Sequence, residues 1–239
     1  MRQVLPAALI VFSAAISICG QDQPQTKHNT RPNQATTSAA PVANDNKSSD
    51  PVKYTYEFTQ PKFYVKHIVL EHDANGRGTV TFERLNEDVA VSEPIELSQA
   101  ALGRINTAWQ ALQFLDSTAN YQADKQFPHL GTMRIGMERG DRKRVAEFNW
   151  TNNDDASTLV NEYRKVADQA ILIFDISVSR QNQPLGAPKL MEAMESLLNR
   201  NALSDPQQLL PLLKELSTDE RVPLIARNHA LRLIKKIQK

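Results

Sequence analysis

Cysteine is nearly missing from this 239-residue chain: Cys19 stands alone. No internal disulfide can form, so stability has to come from a buried core. Net charge is missing too. The 28 Lys and Arg against 27 Asp and Glu leave +1, and the basic excess usual for a nucleic-acid binder is not there. With 8 glycines, the chain has no P-loop, no dinucleotide fingerprint and no G-x-S-x-G elbow. Neither H-E-x-x-H nor a Cys/His zinc spacing occurs. No cofactor and no metal are implied. Long apolar runs are scarce, and only residues 4–18 form one.

That run carries the clearest message in the chain. Arg2 supplies a positive start, the apolar segment follows, and Cys19-Gly20 closes it with small residues nearby. These are the parts of a secretory signal, read here over residues 1–19. The run is shorter than the roughly 20 residues that cross a bilayer. Ile16-Ser17-Ile18-Cys19-Gly20 resembles the lipobox of bacterial lipoproteins, with Ile18 where that family has Gly, Ala or Ser. The resemblance implies lipidation of Cys19 and a membrane-anchored protein of the cell envelope. Ordinary cleavage near Gly20, giving a periplasmic or secreted protein, is the other reading.

Residues 20–52 follow as a tether. From 21 to 52 there is no Leu, Ile, Phe, Tyr or Trp, too little apolar surface to offset chain entropy. A flexible chain of this length spans roughly 30 Å.

Residues 53–180 read as an α+β domain in the order ββαββα. The strand-rich runs 63–72 and 79–82 flank Asn75-Gly76, a hairpin signal. Ser98 is a candidate N-cap for a helix with Leu102, Ile105, Trp109 and Leu112 at helical spacing. Met133, Ile135 and Met137 alternate, Arg139-Gly140-Asp141 turns, and Ala146, Phe148 and Trp150 alternate again. Asp154 or Asp155 caps a long helix with Leu159, Tyr163, Val166 and Phe174 on one stripe. The expectation is a four-stranded antiparallel sheet with helices on one face and Trp150 in the core.

Residues 181–239 read as all helical. Pro188 and Ser204-Asp205-Pro206 mark helix starts, and Thr218 is the candidate cap of the last helix. The stretch Asp205-Pro206 … Leu212-Leu213 … Asp219-Glu220-Arg221-Val222 … Ala226 … Ala230 looks like a single HEAT repeat. By that resemblance the segment would serve as a protein-binding surface. Leu209, Leu213, Val222, Ala226 and Leu233 are expected to face inward, with Arg221, Arg227 and Arg232 available to a partner.

Few residues offer chemistry. His67, Glu71, His72 and Asp73 are close in sequence, but on a strand 67 and 71 share one face and 72 the other. Asp73-Ala74-Asn75-Gly76 resembles the start of a calcium loop, yet Arg84 stands where its last carboxylate belongs. Arg142-Lys143-Arg144 reads as a solvated hairpin tip, and His129 follows Phe127-Pro128 in a loop. By its whole layout the chain resembles bacterial secreted and lipoprotein-type proteins. Two functions follow: a non-catalytic envelope protein acting as a protein-binding or scaffold module, or an exported hydrolase with a site near His67, Glu71 and His72 or near His129. Intact mass of the membrane-extracted protein is expected to show a diacylglycerol adduct on Cys19. A free start at Gly20 or Gln21 sinks the anchor.

Overall fold

In the computed structural model, residues 50–239 are described; the leader, Cys19 and the tether up to residue 49 lie outside them. Six strands form one antiparallel sheet: β1 (Val52–Thr59), β2 (Val65–Asp73), β3 (Arg77–Arg84), β4 (Val91–Glu96), β5 (Thr132–Arg139) and β6 (Arg142–Phe148), in the order β4-β3-β2-β1-β5-β6. The sheet therefore exceeds the expected four strands by two, and the element order is ββββαββα rather than ββαββα. β1 alternates cleanly, with Tyr54, Tyr56 and Phe58 buried. β4 is an edge strand that buries nothing fully and carries Pro94, a residue tolerated at an edge because no second neighbour needs its N–H.

One sheet face is the core. Tyr56, Ile68, Leu70, Val80, Phe82 and Ile135 lie on it and meet two helices, α1 (Gln99–Leu112) and α2 (Asp154–Asn182). Residues of the opposite parity are polar: His67 bridges Glu57 and Glu83, Lys53 pairs with Glu71, and Arg134 with Glu57. Alternation along each strand thus separates oil from water across one layer. Ser98 caps α1, its hydroxyl accepting from the Ala101 N–H at 3.2 Å. For α2 the cap is Asn153, one residue before the expected aspartates, whose charges instead sit in the first turn, where the helix dipole favours them.

Buried polar groups fix the register of α2 on the sheet. The Nδ1–H of His72 donates to the Asp73 carbonyl at 2.7 Å, which leaves Nε2 as an acceptor. That nitrogen lies 2.8 Å from the Tyr163 hydroxyl, and the same hydroxyl accepts from the Trp109 indole N–H at 2.9 Å. β2, α1 and α2 therefore converge on one phenol oxygen. Farther along, Arg84 is buried between Phe82 and Phe174 and pairs with Asp175 of α2.

At 29 residues, α2 is about 43 Å long and outruns the sheet. Leu172 and Ile176 belong to a second core with α3 (Ala187–Asn199), α4 (Leu210–Thr218) and α5 (Leu224–Ile237). Leu209, Leu213, Val222, Ala226 and Leu233 are all buried there, as their spacing predicts. Thr218 ends α4 and does not cap α5, whose first turn follows Pro223. Side-chain hydrogen bonds tie the helical end to the rest. Arg104 reaches both Glu162 and the Ser204 carbonyl at 2.7 Å, and the Gln169 side chain bonds Gln208 and the Asp205 N–H.

Tyr163→Phe strands the His72 Nε2 and the Trp109 N–H in the core. It is expected to lower stability in urea unfolding by on the order of 2–4 kcal/mol at pH 8, at about 1–3 per orphaned group. Burial holds the His72 pKa below its ordinary 6.5, despite the opposing Asp73 carbonyl. The neutral ring is the folded form, so its contribution is complete above about 6.5 and is lost as pH falls through the lower folded value. Wild-type stability should drop in that acid range, and the His72→Phe variant should lose this part of the slope.

Candidate functional site

The residues that the sequence nominates for chemistry do not meet. His67 and Glu71 lie on the outer sheet face, where His67 sits 3.0 Å from Glu57 and 3.1 Å from Glu83. Burial lowers its pKa, but its hydrogen bonds to the Glu83 and Glu57 carboxylates outweigh that and raise it overall. His72 is on the inner face, in the core. His129 is exposed in a short turn, its backbone carbonyl accepting from the Gln60 amide at 2.9 Å. Asp73 caps its own hairpin, accepting from the N–H groups of Asn75 and Arg77. No cluster of three or more His, Cys, Asp or Glu suited to a metal occurs among the described residues.

The basic residues are mostly engaged as well. In the run 142–144, Arg142 and Lys143 are exposed and Arg144 half-buried, and the two arginines bond the carbonyls of Leu115, Phe114 and Ala119. Arg221 grips Asp219 with two nitrogens, 3.0 and 2.7 Å from its carboxylate oxygens. Arg221 and Arg180 hold that carboxyl far below the usual range. Arg227 is half-buried and Arg232 exposed. Five residues apart on α5, these two differ by about 140° around the helix and share no face.

A different set of residues converges. Near the C-terminal end of β1, the sheet and the first half of α2 enclose a cavity of about 610 Å³. Its walls include Tyr56, Phe58, Ile68, Met133 and Phe148 from four strands and Val160 from α2. Its rim carries two half-exposed aromatics, Phe63 and Trp150, at 45% and 44%. Two neighbouring turns hold the mouth open. The Gln60 side chain in the β1–β2 turn donates to the carbonyls of Pro128 and His129. Gly131 then turns the chain into β5 at φ +90°, and a Cβ there would lie 2.6 Å from the Phe58 ring. Only glycine suits that position, for conformation and for space alike.

Trp150 is therefore not a core residue. β6 ends at Phe148, and the next two residues are captured by the loop before β5. The Ala123 N–H donates to the Trp150 carbonyl, the Asn149 N–H donates to the Gln122 side chain, and Phe127 packs edge-on to the indole at 5.3 Å.

The polar members of the cavity are few. Arg164 and Asp168 stand one turn apart on α2. The Arg164 guanidinium lies 5.3 Å over the Phe58 ring, and no carboxylate among the described residues is within ion-pair distance of it. Burial raises the Asp168 pKa against the pull of Arg164 and Arg200. Burial also pushes the Tyr56 hydroxyl up to about 12, with Arg164 opposing, so the phenol keeps its proton. The lining contains neither histidine nor cysteine. What this arrangement can do is hold an apolar group and orient it by a few polar contacts. A second cleft, of about 690 Å³, runs between β4 and the later half of α2. Its amides are spent on each other: Gln208 accepts from Gln169 and donates to the Glu96 carbonyl.

Comparison with known protein families and with curated proteins finds no match to this chain. The site therefore stands on its own geometry. Sequence reading missed it because its parts, at 56–68, 130–133 and 148–168, are far apart along the chain. One local signal was there: Trp150 follows Asn149 and precedes three polar residues, a poor context for a continuing strand. Trp150→Ala is expected to cost about 1–2 kcal/mol in urea unfolding, and Phe148→Ala the 3–5 kcal/mol typical of a buried aromatic. Equal losses for the two would put the indole back in the core.

Proposed function

We propose that this protein is a non-catalytic binding module of the cell envelope, and that the aromatic-rimmed cavity between the sheet and α2 holds the apolar part of its ligand. The single observation that carries this reading is the cavity itself. About 610 Å³ falls within the 300–1,000 Å³ usual for small-molecule sites, with mostly apolar walls and a few convergent polar groups. Half-exposed aromatics at a cavity mouth leave apolar surface that a ligand can cover. The hydrolase alternative lacks such support: His67, Glu71, His72 and His129 line no common cavity. Placement in the envelope rests on the leader and on Cys19. Lipidation there would put the domain on a tether of residues 20–52, clear of the membrane surface.

N-phenyl-1-naphthylamine, a neutral fluorescent probe of suitable size, tests the cavity on the full chain. Saturable one-to-one binding is expected in wild type. Ser157→Trp, which fills the cavity from α2, should remove that binding and leave the unfolding transition in place. Probe binding that survives Ser157→Trp unchanged, or no saturable binding in wild type, overturns the reading.

A further inference from the structure

Tyr56 brings a phenol hydroxyl to a cavity whose mostly apolar lining also includes Ser157, Asn161, Arg164 and Asp168. Its side chain is almost wholly buried, at 1% exposure, and it lines the cavity wall. Arg164 lines the same cavity, and its charge opposes the burial that raises the Tyr56 pKa. A guanidinium only donates, so the phenol proton stays open to an acceptor that enters the cavity.

Arg164 has the complementary shortage. Other arginines of the chain are ion-paired: Arg84 with Asp175, Arg104 with Glu162, Arg134 with Glu57, Arg180 with Asp219. Arg164 is exposed at the cavity's edge and lies over Phe58, with no carboxylate within 4 Å among the described residues. Asp168, one turn on, is shared electrostatically with Arg200 and does not close on it. An Arg fork beside a phenol O–H matches the planar, two-oxygen geometry of a carboxylate, which accepts from both.

Resting on the binding role proposed above, we infer that the ligand is a monocarboxylate amphiphile, its apolar body in the aromatic cavity and its carboxylate held between the Tyr56 hydroxyl and the Arg164 guanidinium. The body packs against Phe58, Met133 and Phe148, and Phe63 and Trp150 close over its exposed side. The neutral alcohol of the same chain length fits the same walls but offers Arg164 no charge.

Calorimetric titration of the full chain with decanoate and with decan-1-ol tests this. Decanoate is expected to bind at least tenfold more tightly than decan-1-ol. Arg164→Met and Tyr56→Phe, which keep the apolar stem or ring, should each bring the two ligands to within about threefold, chiefly by weakening decanoate. Equal binding of both ligands by wild type overturns the carboxylate assignment and leaves the cavity reading standing. A decanoate preference that persists in both variants overturns the roles of Tyr56 and Arg164. No heat of binding from either ligand, together with failure of the neutral probe, brings down the cavity reading itself.

Discussion

Everything in this molecule hangs on one long helix that must satisfy two cores. The first half of α2 covers the sheet through Leu159, Tyr163 and Val166, and the second half packs against α3, α4 and α5 through Leu172 and Ile176. A six-stranded sheet with one apolar face needs a cover, and two helices only just provide it. The helical end in turn has no sheet of its own and relies on the overhang of α2. Neither core closes without the same 29 residues, so the described chain behaves as one body with two centres of packing. Residue 180, where composition suggests a boundary, lies inside that helix.

Apolar burial alone would let α2 slide along the sheet by a turn. Directional contacts prevent it. Tyr163 meets His72 and Trp109 at one oxygen, Glu162 is held by Arg104 and Lys165, and Asp175 meets Arg84. A shift by one turn would bury unpaired polar atoms at each of these places, at a cost of kcal/mol apiece. Glu162 and Tyr163 lie in the sheet-facing half and Asp175 beyond it, so these contacts act on both halves of the helix. Glu162 shows the balance involved: burial disfavours its charge, and Lys165 with Arg104 more than restores it.

The cavity is a consequence of how the strands end. β1 and β2 stay paired to Thr59 and His67, the turn at Gly131 comes up against the Phe58 ring, and β6 stops two residues before Trp150. α2 enters from Asn153 only after that loop, so its first two turns bridge a gap that no side chain fills. The outer sheet face, by contrast, is a ladder of alternating charges with its groups paired to one another. The cavity, on the inner side, brings the Tyr56 phenol and the Arg164 guanidinium to one lining.

By itself the sequence determined whatever depends on near neighbours along the chain. Ser98 caps its helix, Gly76 and Gly140 turn their hairpins at positive φ, Met133 and Ile135 alternate into the core, and the leucines of α4 face inward, because local periodicity and burial agree there. β1 is equally periodic through Tyr54, Tyr56 and Phe58, but it abuts the polar tail, and β4 has too little burial to alternate in a recognisable way. The tertiary structure decided the rest. Alternation through Ala146 and Phe148 points Trp150 inward, and a loop bond from residue 123 pulls it out again. Tyr56 and Arg164, more than a hundred residues apart, become neighbours only when α2 docks on β1. Which polar atoms stay unpaired follows from that docking, because an unmet hydrogen bond is a property of the assembled core and of no single segment.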